Sequence, residues 1–102
     1  MPVNLDIDRD RLAALCRRYH VLTLEVFGSR AKGTAHLDSD VDLLVTFSPT
    51  FTPGLEFFGL ADELETLFGH RVDLLTRPRV ERDENPDFRN NVLSSAKIVY
   101  AA

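Results

Sequence analysis

Residues 37–45, with the sequence LDSDVDLLV, join a run of carboxylates to the start of an apolar segment. That segment continues to Phe47 with only Asp42 and Thr46 as polar interruptions, which predicts a central β-strand. Because side chains alternate along a strand, we expect Asp40 and Asp42 on the same face at its beginning. Two carboxylates that close repel each other unless a cation lies between them. Mg²⁺, which prefers oxygen ligands, is the economical candidate for that cation.

A third carboxylate lies in another predicted strand, residues 71–76, with the sequence RVDLLT. A charge in the middle of a strand is costly unless it is paired or bound to a metal. If the two strands are neighbours, Asp73 joins Asp40 and Asp42 at one site, an arrangement typical of metal-assisted nucleotidyl transfer. Taken alone, Asp73 is equally well interpreted as the partner of an arginine. Asp38 and Asp40 could also be loop residues that cap a turn, and for Asp38 we prefer that interpretation.

Residues 28–33, GSRAKG, directly follow a predicted strand at residues 21–27 and have the features of a phosphate-binding loop. Gly28 would let a phosphate approach the backbone, and Ser29 offers a hydroxyl and an amide where a helical turn begins. Arg30 and Lys32 add positive charge. An ordinary exposed turn also explains these residues, and the loop is not a P-loop, because Thr34 replaces the required lysine. Its closeness in sequence to the carboxylates favours a nucleotide site.

The remaining segments predict an α/β (α+β) fold. A first helix is expected at about residues 8–19, with Asp8 as its N-cap. The clearest helix ends at Gly69 and presents one apolar face. That face consists of Phe57, Leu60, Ala61, Leu64, Leu67 and Phe68. Residues 78–87 are interpreted as a loop leading into a short helix that ends near Leu93, and residues 97–100 as a last strand. This order predicts a mixed β-sheet with helices packed against it.

Length and charge restrict the functional classes. The chain has 102 residues and a net charge of −4, which predicts a single domain, residues 1–102, without direct nucleic-acid binding. The single cysteine, Cys16, excludes an intrachain disulfide, and no segment approaches membrane-spanning length, so we expect a soluble cytoplasmic protein. A zinc site at Cys16 and His20 is rejected, because two ligands are too few. The arginines and acids of residues 77–89 indicate a solvated segment, with a partner contact as the alternative.

Three motifs together resemble the signature of the DNA polymerase beta-like nucleotidyltransferases. They are GSRAKG at residues 28–33, SDVDL at residues 39–43 and VDL at residues 72–74. The chain is most similar to the minimal, single-domain branch of that family, which often occurs as the antitoxin partner of HEPN-domain toxins. The resemblance covers about residues 21–75. It implies the polymerase-beta-like nucleotidyltransferase fold, with a mixed sheet that carries the site.

The resemblance also implies specific roles. The carboxylates Asp40, Asp42 and Asp73 would be catalytic and would bind Mg²⁺, and Asp73 would also accept the proton of the acceptor hydroxyl. The residues implied to bind ATP are Gly28, Ser29, Arg30 and Lys32. Lys32 replaces the usual arginine, which keeps the charge but loses the two-pronged hydrogen bonding.

Three functional hypotheses follow from these roles. The first is a Mg²⁺-dependent transfer of AMP from ATP to a hydroxyl of a partner, namely a tyrosine of a HEPN-type toxin, because related antitoxins act in that way. The alternative is a non-catalytic antitoxin that neutralises its partner by contact. A small-molecule nucleotidyltransferase is the third, although such enzymes usually carry an added helical domain that this chain lacks. In a domain this small the site should be open, so that a partner or a homo-oligomer could complete it.

Overall fold

The computed structural model describes residues 7–33 and 40–102. Five helices and four strands lie in these two ranges. In chain order they are α1 (Arg9–Arg18), β1 (Val21–Phe27), α2 (Ser29–Lys32), β2 (Val41–Phe47), α3 (Glu56–Phe68), β3 (Val72–Thr76), α4 (Arg77–Glu81), α5 (Pro86–Ser95) and β4 (Lys97–Ala101). The capping interpretation of Asp38 lies outside the described residues.

The four strands form one mixed sheet in the order β3-β2-β1-β4. Strand β1 pairs antiparallel with both β2 and β4, whereas β2 pairs parallel with β3. A parallel pair needs a crossover connection, and α3 provides it. The mixed sheet with packed helices confirms the predicted fold class, and it makes β2 and β3 the neighbours that the carboxylate hypothesis requires.

The two faces of the sheet pack against different helices. Along β2, Leu43 belongs to the main hydrophobic core with α1 and α3, whereas Leu44 belongs to a smaller core with α4 and α5. This division follows from the alternation of strand side chains. The smaller core contains the buried residues Phe27, Leu44, Val80 and Val92. Two helical layers therefore enclose part of the sheet.

Several helix ends agree with the sequence-based expectations. The Asp8 carboxylate accepts hydrogen bonds from the backbone N–H groups of Asp10 and Arg11, at 3.0 and 3.1 Å, and so caps α1. Gly69 ends α3 in the left-handed conformation, with φ 71°. Cys16 is fully buried, and burial raises the pKa of its thiol to about 12, which supports a packing role instead of metal binding.

The segment after β3 departs from the prediction of a loop, because residues 77–81 form α4. Pro78 is tolerated in the first helical turn, where its missing N–H would have no partner in any case. Val80 anchors the helix in the smaller core, and Arg77 contacts Glu81 one turn later, at 3.1 Å. The solvated interpretation is also wrong for Arg77, whose Nη1 lies 2.8 Å from both carboxylate oxygens of Glu25 on β1.

In the part of the chain that the structure describes, no helix has the length and apolar character needed to cross a membrane.

Candidate active site

Asp42, the second residue of β2, is at the centre of the candidate site. It alternates in phase with Leu44 and therefore projects from the face that α4 and α5 cover. Its register partners are Phe27 on β1 and Asp73 on β3. The parallel pairing of β2 and β3 thus places two carboxylates side by side, as the sequence predicted.

The loop after β1 contacts the Asp42 side chain directly. Gly28 has φ 72° and ψ −148°, a backbone conformation that L side chains rarely adopt. A Cβ atom at Gly28 would lie 2.5 Å from Oδ2 of Asp42, which is far inside van der Waals contact. Position 28 therefore requires glycine twice, for its backbone angle and for the space that the carboxylate occupies. The phosphate-loop motif and the carboxylate motif meet at this point.

The electrostatic environment of Asp42 favours a bound cation. Burial is the largest cause that raises the pKa of the Asp42 carboxyl, followed by the charges of Asp73 and Asp40. The ionised form is thus penalised both by lost hydration and by like charges. A positive charge placed among these groups would remove the second penalty and offset the first.

Asp40 and Asp73 differ from Asp42 in exposure. Both are exposed, with Asp40 immediately before β2 and Asp73 on the edge strand β3. The free-energy cost that the sequence analysis assigned to an unpaired charge inside a strand is therefore small for Asp73, because on this edge strand the side chain stays in solvent. Its exposure leaves Asp73 accessible to an acceptor molecule.

The donor chemistry fits Mg²⁺. Within residues 7–33 and 40–102, no three histidine, cysteine or acidic side chains form a ready-made metal cluster. Mg²⁺ commonly binds through only one or two carboxylates, together with substrate phosphates and water. Asp42 and Asp73 on adjacent strands meet that requirement. The metal assignment remains a prediction.

The two basic residues of the loop extend in different directions. The Arg30 guanidinium lies 3.2 Å from Nδ1 of His70, in the turn before β3. The Lys32 ammonium donates a hydrogen bond to Oδ1 of Asn91 on α5, at 3.1 Å. Ser29 begins α2 directly after Gly28. Lys32 is thus the basic residue that shares the cleft beside Asp42 with α5.

That cleft, about 210 Å³ in volume, includes residues that the sequence analysis missed. Its walls are Phe27, Gly28, Lys32, Asp42, Phe88, Asn91, Val92 and Ser95. The last four belong to α5, to which no function was assigned. Their spacing is a weak signal that could have found them, because positions 88, 91, 92 and 95 fall on one helical face.

The chain belongs to the nucleotidyltransferase domain family, whose model matches residues 10–99. This match identifies the class of protein and confirms the predicted enzyme class, a nucleotidyltransferase.

Individual relatives are more specific. The chain is 45% identical over 65 residues to the protein adenylyltransferase MntA of Thermococcus cleftensis, covering 62% of this chain and 63% of that protein. It is 38% identical over 72 residues to MJ1215 of Methanocaldococcus jannaschii, named as a candidate protein adenylyltransferase, covering 71% of this chain and 83% of that one.

Solved structures agree with the fold. A candidate minimal nucleotidyltransferase superposes with a TM-score of 0.66 at 38% identity, covering 87% of this chain and 86% of the other. A toxin–antitoxin complex with AMP-PNP gives 0.68 at 21% identity, with 94% and 75% coverage. A chain of the complex between the tri-AMPylated HEPN toxin of Shewanella oneidensis and MNT antitoxin superposes with a TM-score of 0.58 at 18% identity. The match covers 92% of this chain and 70% of the other. At the two lower identities the likeness is one of fold. The minimal nucleotidyltransferase architecture is therefore confirmed.

Proposed function

We propose that the chain is a Mg²⁺-dependent protein adenylyltransferase that transfers AMP from ATP to a tyrosine hydroxyl of a HEPN-type toxin and thereby acts as its antitoxin. The observation that carries the proposal is the contact between Gly28 and Asp42, with Asp73 on the adjacent strand. Cytoplasmic localisation, a homo-oligomer and the lack of direct nucleic-acid binding remain predictions.

The contact between Gly28 and Asp42 supports nucleotidyl transfer because of what each group can bind. A glycine backbone admits a phosphate closely, and the following amides begin a helical turn. Adjacent carboxylates hold a divalent cation that binds the same phosphates. Because the two groups touch, triphosphate and cation would meet at one place, as transfer at the α-phosphorus requires.

Asp42 and Asp73, together with Asp40, would hold Mg²⁺, which when bound neutralises the charge of the triphosphate. Asp73 has a second role, because its exposed carboxylate can accept the proton of an acceptor hydroxyl approaching from solvent. The acceptor oxygen forms a bond to the α-phosphorus, and the bond from that phosphorus to the bridging oxygen breaks. Pyrophosphate leaves with that oxygen.

The shape of the site favours a macromolecular acceptor. A cleft of about 210 Å³ cannot enclose ATP together with a second substrate, and Asp73 faces solvent at a sheet edge. A partner protein that carries its hydroxyl to this edge would supply the missing wall. The relatives support such a partner. MntA is named as a protein adenylyltransferase and MJ1215 as a candidate one, and one structure of similar fold contains an AMPylated HEPN toxin.

The test is a transfer assay with a HEPN-type toxin as the acceptor, Mg²⁺, and ATP labelled at the α-phosphate. Label should move to the toxin, whereas label at the γ-phosphate should leave with pyrophosphate. Asp42→Asn and Asp73→Asn should each reduce the transfer rate by at least about 100-fold. Asp62→Asn, at an exposed site on α3, is the matched control and should transfer normally.

A different result would identify the non-catalytic alternative. In that case no label would reach the toxin, neutralisation would need stoichiometric antitoxin, and it would persist in Asp42→Asn. Mass spectrometry of the labelled toxin identifies the acceptor, and a modified residue other than tyrosine would correct that part of the proposal.

A further inference from the structure

Helix α5 contacts both ends of the loop from Gly28 to Lys32. The backbone N–H of Gly28 donates a hydrogen bond to Oγ of Ser95, at 3.3 Å. Four residues further along the loop, Nζ of Lys32 donates to Oδ1 of Asn91, at 3.1 Å. Asn91 and Ser95 are themselves one helical turn apart, so a single turn of α5 spans the loop.

We propose that Ser95 and Asn91 are positioning residues for the nucleotide, which hold the loop from Gly28 to Lys32 in the shape that receives the triphosphate. The proposal rests on the function proposed above. Neither residue needs to touch the reacting atoms, because each acts through the loop residue to which it is bonded.

Ser95 has a bond geometry that serves this role. Ser95 is buried at the C-terminal end of α5, and its hydroxyl can donate a hydrogen bond to the backbone carbonyl of Asn91, at 3.0 Å. A serine that bonds only to the preceding turn is a common way to satisfy a hydroxyl in a helix. Here the same oxygen also accepts from Gly28. The chain of bonds therefore runs from the loop into the helix backbone.

The residue that Ser95 holds is the one with the most conformational freedom. Glycine loses more backbone entropy on ordering than any other residue, and Gly28 keeps a rare backbone conformation beside the Asp42 carboxylate. Because the hydrogen bond to Ser95 already orders the Gly28 backbone, nucleotide binding costs less conformational entropy. The affinity for the nucleotide is therefore higher. At 3.3 Å the bond is long, so its effect should be modest.

Asn91 affects the position of the loop's cation. Lys32 and Asp42 line the same cleft, and a lysine next to a carboxylate tends to pair with it. Asn91 offers a neutral acceptor instead, which keeps the ammonium near the cleft without neutralising Asp42. The carboxylate then remains available to a divalent cation, and Lys32 remains available to a phosphate.

The chain offers matched controls for both residues. Ser94 and Asn90 precede Ser95 and Asn91 on the same helix, are exposed, and have no hydrogen bond to the loop among the described contacts. The comparison is therefore Ser95→Ala against Ser94→Ala, and Asn91→Ala against Asn90→Ala.

The first measurement is the hydrogen-exchange rate of the Gly28 amide, which NMR monitors in the nucleotide-free protein. Ser95→Ala should exchange at least about 5-fold faster than wild type at that amide, whereas Ser94→Ala should not. Equal rates in Ser95→Ala and wild type would overturn the hold on Gly28. This readout does not depend on catalysis, so it decides the point even if the proposed function fails.

The second measurement is the affinity for ATP with Mg²⁺ by calorimetry. Ser95→Ala should weaken binding by about 3- to 10-fold and Asn91→Ala by about 2- to 5-fold, with the controls unchanged. In a Lys32→Met background, Asn91→Ala should have no further effect, because its partner is gone. Wild-type affinity in both alanine variants would overturn the positioning role, whereas no binding by wild type would instead refute the proposed function. If Ser95→Ala fails to fold, the exposed Asn91 decides the proposal alone.

Discussion

The two faces of the sheet differ in the kinds of side chain that they bury. The face toward α1 and α3 is apolar along all three strands β1, β2 and β3. The face toward α4 and α5 buries a small apolar core, and beside it lie the Glu25–Arg77 ion pair and the half-buried Asp42. The first face supplies most of the hydrophobic stabilisation, whereas the second carries charges that cost free energy when buried. The candidate active site thus lies on the face that contributes less hydrophobic stabilisation.

This contrast shows how so small a domain can accommodate the candidate active site. A continuous core on one face secures the strand order and the register of β2 with β3. With that register fixed, the opposite face can keep Asp42 beside Asp73 despite their repulsion. Substitutions on the two faces should therefore differ in their effects: those on the first face should mainly lower the stability of the fold, and those on the second should mainly change the site.

The largest effect on stability is expected from two neighbouring leucines of β2. Leu43 and Leu44 are both fully buried, but on opposite faces. Leu43→Ala should lower the free energy of unfolding by about 3–5 kcal/mol, and Leu44→Ala by about 2–3 kcal/mol, because the smaller core can collapse more readily around the cavity. Urea unfolding measures both, with an unchanged denaturant dependence as the check on two-state behaviour. A larger loss in Leu44→Ala would contradict the ranking of the two faces.

An intermediate effect is expected at the ion pair. Glu25→Gln removes the more buried of the two carboxylates that pair with the Arg77 guanidinium and should cost about 2 kcal/mol. The cost is below that of a fully buried pair, because the Arg77 side chain is 31% exposed. The control is Glu81→Gln, which breaks only the exposed pair one turn along α4 and should cost less than about 0.5 kcal/mol. Similar losses in both variants would show that Glu25 contributes no more than a surface charge.

The sequence predicted most of the apolar face and the central carboxylates. Strands β1 and β2 have the expected bounds, because runs of apolar and β-branched residues signal strands wherever they occur. Asp42 and Asp73 were also expected together, since a shared register brings equivalent motifs side by side. These features depend on local patterns, which a single sequence contains.

The polar face was harder to predict, for physical reasons. Arg77 and Glu25 are 52 residues apart, and no local pattern connects them. The charged composition of α4 concealed a short helix in which Val80 is the single buried residue. Asn91 and Ser95 carry no chemical signature by themselves, because their significance comes from the loop that folds against them. The exposure of Asp73 depends on which strand lies at the sheet edge, which only the tertiary structure determines.

The smallest expected effect is a gain of stability at Asp42. Because burial and the charges of Asp73 and Asp40 raise the pKa of Asp42 in the folded protein, the unfolded chain releases that proton first as the pH rises. The wild type therefore loses stability between the unfolded and the folded pKa and remains less stable above them. Asp42→Asn cannot ionise, so in metal-free buffer at pH 7 it should melt a few degrees higher than wild type. The gain should vanish near pH 3, where both side chains are neutral. Asp62→Asn, on the opposite face, should show no such pH-dependent gain, and a lower melting temperature for Asp42→Asn at pH 7 would mean that Asp42 stabilises the fold.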